Sequence, residues 1–326
     1  MAQPLGGRGG LTAAAQLLDD GGRAAEQDDF FRSRAFYDAE AVTHTLLVEA
    51  EGTRLAIPVL VREIPGTARR DAVSPYGYPG GVVSPDPAGA AALALADVDW
   101  APTGLVSVFV RDRVGAPPCF RGATERSTVQ ISDPELPRKS RMSDRQQIRR
   151  NERAGYAIAS IPGPQASAEQ AGELHRVYVE TMLRAGAEQR YLFGASYFEG
   201  LLSSPRTWLF SVRGPDGDVA AAAIAADSDG IVHYYLSGTA DAHREASPSK
   251  NLIVAVIEFA ESRGAPMNLG GGVEPGDGLE AFKRGFANRE LPFHTHEIVC
   301  EDGAYEELSA GREQGAFFPA YRAPSG

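Results

Sequence analysis

The chain has 326 residues, 43% hydrophobic and 23% charged, and a formal net charge of −11. These are ordinary globular values, with length enough for two domains of typical size or for one domain built from two similar halves. The acidity argues against broad, nonspecific nucleic-acid binding and against DNA as a partner, while a local basic strip stays compatible with it.

No run of about 18 apolar residues occurs, so no membrane span is expected. The opening MAQPLGGRGG lacks the basic segment and apolar core of a secretory signal. The two cysteines, Cys119 and Cys300, lie far apart and form neither a disulfide framework nor a metal-ligand cluster. A reducing cytoplasm is the expected home.

Residues 1–27 are rich in Gly, Ala and Asp and predict a flexible, frayed N-terminal segment. THTLLVEAEG (43–52) and RLAIPVLVREI (54–64) carry alternating and β-branched apolar residues around Glu51-Gly52, which predicts a hairpin. SPYGYPGGVVSPDP (74–87) is loop material, AGAAALALADV (88–98) predicts a helix and GLVSVFVRD (104–112) a strand. A mixed α+β domain over 28–135 follows.

LPRKSRMSDRQQIRRNERAGY (136–156) predicts a basic helix over 138–154, capped by Ser143 or Asp144 and ended by Gly155, with a strand at 156–161. Residues 167–186 place Leu174, Val177, Tyr178 and Met182 at helical spacing. TWLFSVRGPDG, DVAAAAIAADSDG and IVHYYLSGT read as three strands joined by turns at Pro215-Asp216-Gly217 and Asp227–Gly230. Pro248-Ser249 opens a helix through LIVAVIEFAESRG, MNLGG (267–271) is a short buried strand, a helix starts near Asp277, and LPFHTHEIVC (291–300) is a closing strand. This second domain spans 136–326. Its order, after the basic helix and its strand, is helix, three-strand meander, helix, strand, helix, strand, which resembles that of an acyltransferase fold on a splayed mixed sheet.

Three stretches carry chemistry. NLGGGVEPGDGLEAFKRGF (268–286) suggests a phosphate loop at first, yet its glycines also serve to let a buried strand end tightly beside a ligand. Within it Lys283 is one of only three lysines, with Lys139 and Lys250, among 32 basic residues. The basic helix puts Arg138, Lys139, Arg141, Arg145, Arg149, Arg150 and Arg153 within 16 residues; Arg141, Arg145 and Arg149 share one face, either a phosphate-binding stripe or a solvated charged face. SPYGYPGG offers Tyr76 and Tyr78 either to orient a polar acceptor and stack on a base, or simply to pack inward.

Other signals are weaker. Ser249 and Lys250 open a helix able to hold one carboxylate or phosphate, or one that is merely capped. The stretch ADAHREASPSKNL before it has no basic-x-x-Gly-x-Gly pattern, and Pro248 removes an N–H donor, which argues against a coenzyme A pyrophosphate there. His294 and His296 share a strand face without carboxylate or Cys partners at useful spacing, so no metal is expected. His233 reads as a satisfied core histidine.

SPYGYPGG, RKSRMSDRQQIRRNERAGY, HYYLSGT, SPSKNLIVAVIEFAESRG, and NLGGG with LEAFKRGF occur in an order that resembles the Fem-type branch of the GNAT acyltransferase superfamily, over roughly residues 35–300. The resemblance implies mixed α/β sheets arranged as two GNAT-like domains side by side. It implies transfer of an amino acid from aminoacyl-tRNA to the amine of a peptidoglycan precursor or of a peptide or nucleoside antibiotic intermediate, with no cofactor. Phe282-Lys283 matches the family's Phe-Lys pair, which implies that Lys283 stabilises the developing negative charge and that Phe282 shapes the pocket or stacks on the terminal adenine; Arg284 is the adjacent alternative cation. Two other readings stay open: an acyl-CoA-dependent N-acyltransferase, and a non-catalytic RNA- or peptide-binding module on the same fold.

Overall fold

The computed structural model describes residues 13–50, 52–85, 93–272, 276–313 and 317–323. In chain order, the strand β1 (Ala13–Leu18) is followed by helix α1 (Arg34–Ala39), then by β2 (His44–Ala50), β3 (Thr53–Glu63), β4 (Arg70–Val73), β5 (Val82–Ser84), β6 (Val98–Asp99), β7 (Ser107–Arg111) and β8 (Thr124–Ser132). Next come α2 (Met142–Arg153), β9 (Ala157–Pro162), α3 (Ala168–Arg184), α4 (Ala195–Leu202) and the meander β10 (Thr207–Arg213), β11 (Val219–Ser228), β12 (Ile231–Thr239). The chain continues through α5 (Ser249–Ser262), β13 (Met267–Gly270), α6 (Gly278–Arg284), β14 (Arg289–Val299) and α7 (Asp302–Leu308).

The chain divides into two compact units, but not at residue 135 as its sequence suggests. The first holds residues 1–27, 40–126 and 293–326; the second holds 28–39 and 127–292. Strand pairing explains the late return: Thr295–Val299 of β14 pairs antiparallel with Ser107–Arg111 of β7. Residues 28–39 join the second unit through Arg32, which is 1% exposed and bridges Asp29 and Asp229 at 2.7 Å each. Beside it, the rings of Phe30 and Phe31 pack edge-on against Tyr235.

In the first unit the strand order is β6-β1-β2-β3-β4-β7-β14, with β5 also on β3. Its core gathers Leu46, Val48, Leu55, Ile57, Val108, Val110 and Phe120. Two expectations fail here. Residues 13–18 are not frayed: they pair along their length with β2, burying Ala13 and Ala15. Of the helix expected over 88–98, residues 88–92 lie outside the described residues; Leu95–Asp97 is a single 3-10 turn and Val98–Asp99 pairs with β1.

The second unit has the order β8-β13-β12-β11-β10-β9. β11 is alanine-rich and almost wholly buried, because α3 packs against it as well as α5. Tight helix-to-sheet spacing shows at Gly238 on β12, where an added Cβ would lie 2.2 Å from the Val177 carbonyl of α3. Gly238→Ala is therefore expected to cost about 1–3 kcal/mol as overpacking, read as a lower denaturant midpoint; an unchanged midpoint would show that α3 can step back freely. Helix α3 starts as the sequence predicts, with Ser167 and Gln170 forming a reciprocal capping box. Helix α2 does not: its N-cap is Arg141, without a side-chain cap, and Asp144 is buried. The helix α4 has no counterpart in the sequence reading.

Candidate active site

The site starts from a short piece of parallel pairing. β12 and β13 are in register only at Val232–Met267 and His233–Asn268. Beyond that, β12 runs on to Thr239 along β11, while β13 ends at Gly270, whose φ of 79° turns the chain away. A side-chain clasp fixes the parting point. Buried His233 donates from Nε2 to the Ser228 carbonyl at 3.3 Å and accepts at Nδ1 from Asn268 at 3.1 Å. Burial pushes the imidazole pKa down to about 4, so it is neutral. The Asn268 carbonyl oxygen in turn accepts from the Gly270 amide at 2.8 Å. His233 is thus the core histidine the sequence suggests.

Lys283 sits beside this exit. Helix α6 is N-capped by Asp277, whose carboxylate accepts from the Glu280 amide at 2.7 Å, as expected of a start at that residue. From the last turn, Lys283 Nζ donates to the Gly271 carbonyl at 2.7 Å. Gly271 itself lies against β8, where a Cβ would come within 2.9 Å of the Thr128 carbonyl. Burial lowers the Lys283 pKa to about 8, partly offset by the charge of Asp277. At neutral pH the group is still mainly a cation, held by a carbonyl dipole. A desolvated cation of this kind acts strongly on a nearby developing anion.

The neighbouring candidates are differently engaged. Arg284 pairs with Glu280 and lies 3.3 Å from Glu290. Lys250 lies 3.0 Å from buried Asp144, so the start of α5 is internally neutralised; Pro248 holds the N-cap position without a side-chain cap, and Ser249 is half-buried. Phe282 is half-buried against the core of α5 and its strands, with its ring edge-on to Phe286 at 5.5 Å. Packing therefore accounts for this ring, and none of its contacts singles out a base.

The arginine stripe is shorter than its sequence spacing implies. Arg141 precedes the helix and donates to the Ala281 carbonyl of α6 at 2.8 Å, so it braces the Lys283 helix. Arg145 and Arg149 are solvent-exposed on α2, one turn apart. Tyr76 and Tyr78 belong to the first unit: the Tyr76 amide donates to Glu40 at 2.8 Å, and the Tyr78 ring packs edge-on to Phe293 at 5.1 Å. His296, in the same unit, is buried 2.9 Å from Asp112. Among the described residues no group of three or more His, Cys, Asp or Glu is placed to hold a metal.

Two hydroxyls that the sequence does not pair come together here. Tyr197 of α4 and Tyr235 of β12 meet at 3.3 Å. The available signal was HYYLSGT itself, where the second tyrosine follows His233 by two residues and so turns to the same sheet face.

A family model described as an acetyltransferase (GNAT) domain matches residues 138–284. The crystal structure of FemX aligns with a TM-score of 0.59 at 11% identity, covering 89% of this chain and 96% of that one. The chain has a Fem-type, GNAT-like fold. A C-terminal domain (DUF2156) from Agrobacterium fabrum, named for lysylphosphatidylglycerol synthetase, shares the fold at a TM-score of 0.55 and 14% identity, covering 85% of this chain and 89% of that one. A conserved protein of unknown function from Bacteroides thetaiotaomicron VPI-5482 follows at 0.51 and 10%, covering 83% and 90%. No curated protein matches by sequence. Within this GNAT-like fold the matched segment begins at the basic stretch and closes one residue after Lys283. It encloses the parted strands, the clasp and α6, and these findings together support an acyltransferase.

Proposed function

We propose that the protein is an aminoacyltransferase that moves an amino acid from aminoacyl-tRNA to the amine of a small peptide or peptidyl-nucleoside, forming a peptide bond. The observation that carries the reading is Lys283: a cation with lowered pKa, anchored on the Gly271 carbonyl where β13 leaves the sheet. An aminoacyl ester is already activated, so an attacking amine needs no protein nucleophile. What it needs is a fixed positive group where the carbonyl oxygen becomes an anion. Lys283 supplies that group, Phe282 shapes the wall behind it, and exposed Arg145 and Arg149 are suited to the donor's phosphates.

The setting proposed is the cytoplasm, with an antibiotic intermediate or a peptidoglycan precursor as acceptor. Among the described residues no helix is long and apolar enough to cross a membrane. Purified protein should transfer labelled amino acid from a charged-tRNA pool to a panel of peptide and nucleoside amines, and RNase should abolish the transfer. Transfer that survives RNase treatment would sink the tRNA-donor reading.

An acyl-CoA donor is the second reading, favoured by the acetyltransferase description of the matched family. The start of α5 speaks against it, because Pro248 removes a donor and Asp144 occupies Lys250. A CoA-thioester assay without tRNA separates the two.

A further inference from the structure

Just past the stretch of β12 that pairs with β13 lies a second polar device, on the other side of the strand from α5. Tyr234 packs into the core under α5. Tyr235 turns the opposite way, its ring edge-on to Phe31 at 5.2 Å, as is that of His233 at 4.9 Å. The pairing of β12 with β11 shifts between Leu236–Ile224 and Tyr234–Ala225, which puts Tyr235 at the extra position of a bulge. It lies two residues past the last residue of β12 paired with β13.

Above it, α4 supplies Tyr197, whose ring stacks on Phe193 at 4.2 Å. Phe30, Phe31 and Phe36 hold the Tyr235 ring from the other side. Both rings are therefore fixed by packing, and their hydroxyls meet at 3.3 Å with either oxygen able to donate. Both residues are half-buried.

We propose that the Tyr235–Tyr197 hydroxyl pair is a proton relay for the attacking amine. The inference rests on the acyl-transfer reading but not on the identity of the donor. The amine nitrogen bonds to the acyl carbon, the bond from that carbon to the donor's leaving atom breaks (a ribose oxygen for aminoacyl-tRNA, the thiol sulfur for acyl-CoA), and the nitrogen must shed one proton. That proton passes to Tyr235 Oη as Tyr235 gives its own to Tyr197 Oη, and Tyr197 gives one to water. The departing oxygen or sulfur takes a proton from water, so protons balance and nothing is oxidised or reduced. Neutral phenols suffice because a nitrogen already bonded to the tetrahedral carbon is cationic and acidic.

The test uses the full chain with Tyr235→Phe, Tyr197→Phe and the double variant, since Phe keeps the rings and removes only the hydroxyls. Rates are measured with charged tRNA and, separately, with an acyl-CoA donor. Each single variant should lose about 100-fold in kcat, with the donor KM and the melting temperature unchanged. The double variant should be no slower than the slower single, because the two act as one unit. An unchanged kcat in the singles, or losses that multiply in the double, overturns the relay. Tyr197→Phe, on α4, gives an independent answer if Tyr235→Phe folds poorly. Activity with acyl-CoA alone overturns the tRNA donor while the relay is still judged on that reaction. A wild-type chain inactive with both donors overturns both.

Discussion

Lys283→Ala is expected to lower the rate of acyl transfer by about 10²–10³-fold while leaving donor binding intact. The substitution removes a cation 2.7 Å from the Gly271 carbonyl and places nothing in its stead. Single-turnover rates with pre-bound donor separate this loss from any loss of affinity. Equal transfer by the variant and the wild type would remove Lys283 from the chemistry and favour a binding module. Lys283→Met preserves most of the stem and should be as slow as the alanine variant.

Acidity gives an independent check of the same residue. Burial lowers its pKa from 10.5 to about 8, so the proton is lost as pH rises through about 8. A lysine acting as a cation therefore predicts activity that falls through that range; one acting as a base predicts activity that rises. Lys283→Arg, which keeps its charge at any accessible pH, should shift the alkaline decline upward. Stability moves in the opposite sense. The unfolded chain holds this proton up to about 10.5, so this group's unfavourable contribution to folding is complete below about 8 and fades as pH rises between the two values.

The second large effect is on folding. Arg32→Ala should cost about 3–5 kcal/mol, because it leaves two carboxylates facing a buried hole. Arg32 is 1% exposed, meets Asp229 through both terminal nitrogens at 3.0 and 2.7 Å, and reaches Asp29 at 2.7 Å. Arg32→Lys should recover only part of the loss, since one ammonium cannot form the two-pronged contact. The readout is the urea midpoint at constant slope. A shift equivalent to less than about 1 kcal/mol would class this as an ordinary surface pair. The Arg32→Met, Asp229→Asn double variant should lie above Arg32→Ala, because it removes one stranded charge.

Local chemistry was the legible part of this fold. The β2–β3 hairpin was readable from alternation around Glu51-Gly52, α3 from its apolar spacing, and the exit of β13 from its glycines. Lys283 stood out because the chain uses so few lysines. Partnerships made by distant residues could not be read. The alanine-rich AAAQLL is a strand only because β2 pairs with it, and Lys250 looked available because Asp144 is 106 positions away. Residues 28–39 carry no mark of the unit they join; their aromatics and Arg32 are matched by a turn at Asp229. Tyr197 and Tyr235 belong to this class as well, since a hydroxyl pair exists only once α4 lies over β12.

The threading of the chain has a consequence for its synthesis. Everything the second unit needs has left the ribosome once residue 292 is free, whereas the first unit waits for β14 and the residues after it. The domain whose translation starts first is thus completed last, and until then β7 presents an open edge on a nascent polypeptide. A stop codon in place of residue 293 would spare the proposed catalytic unit's own segments and strand its companion half-made.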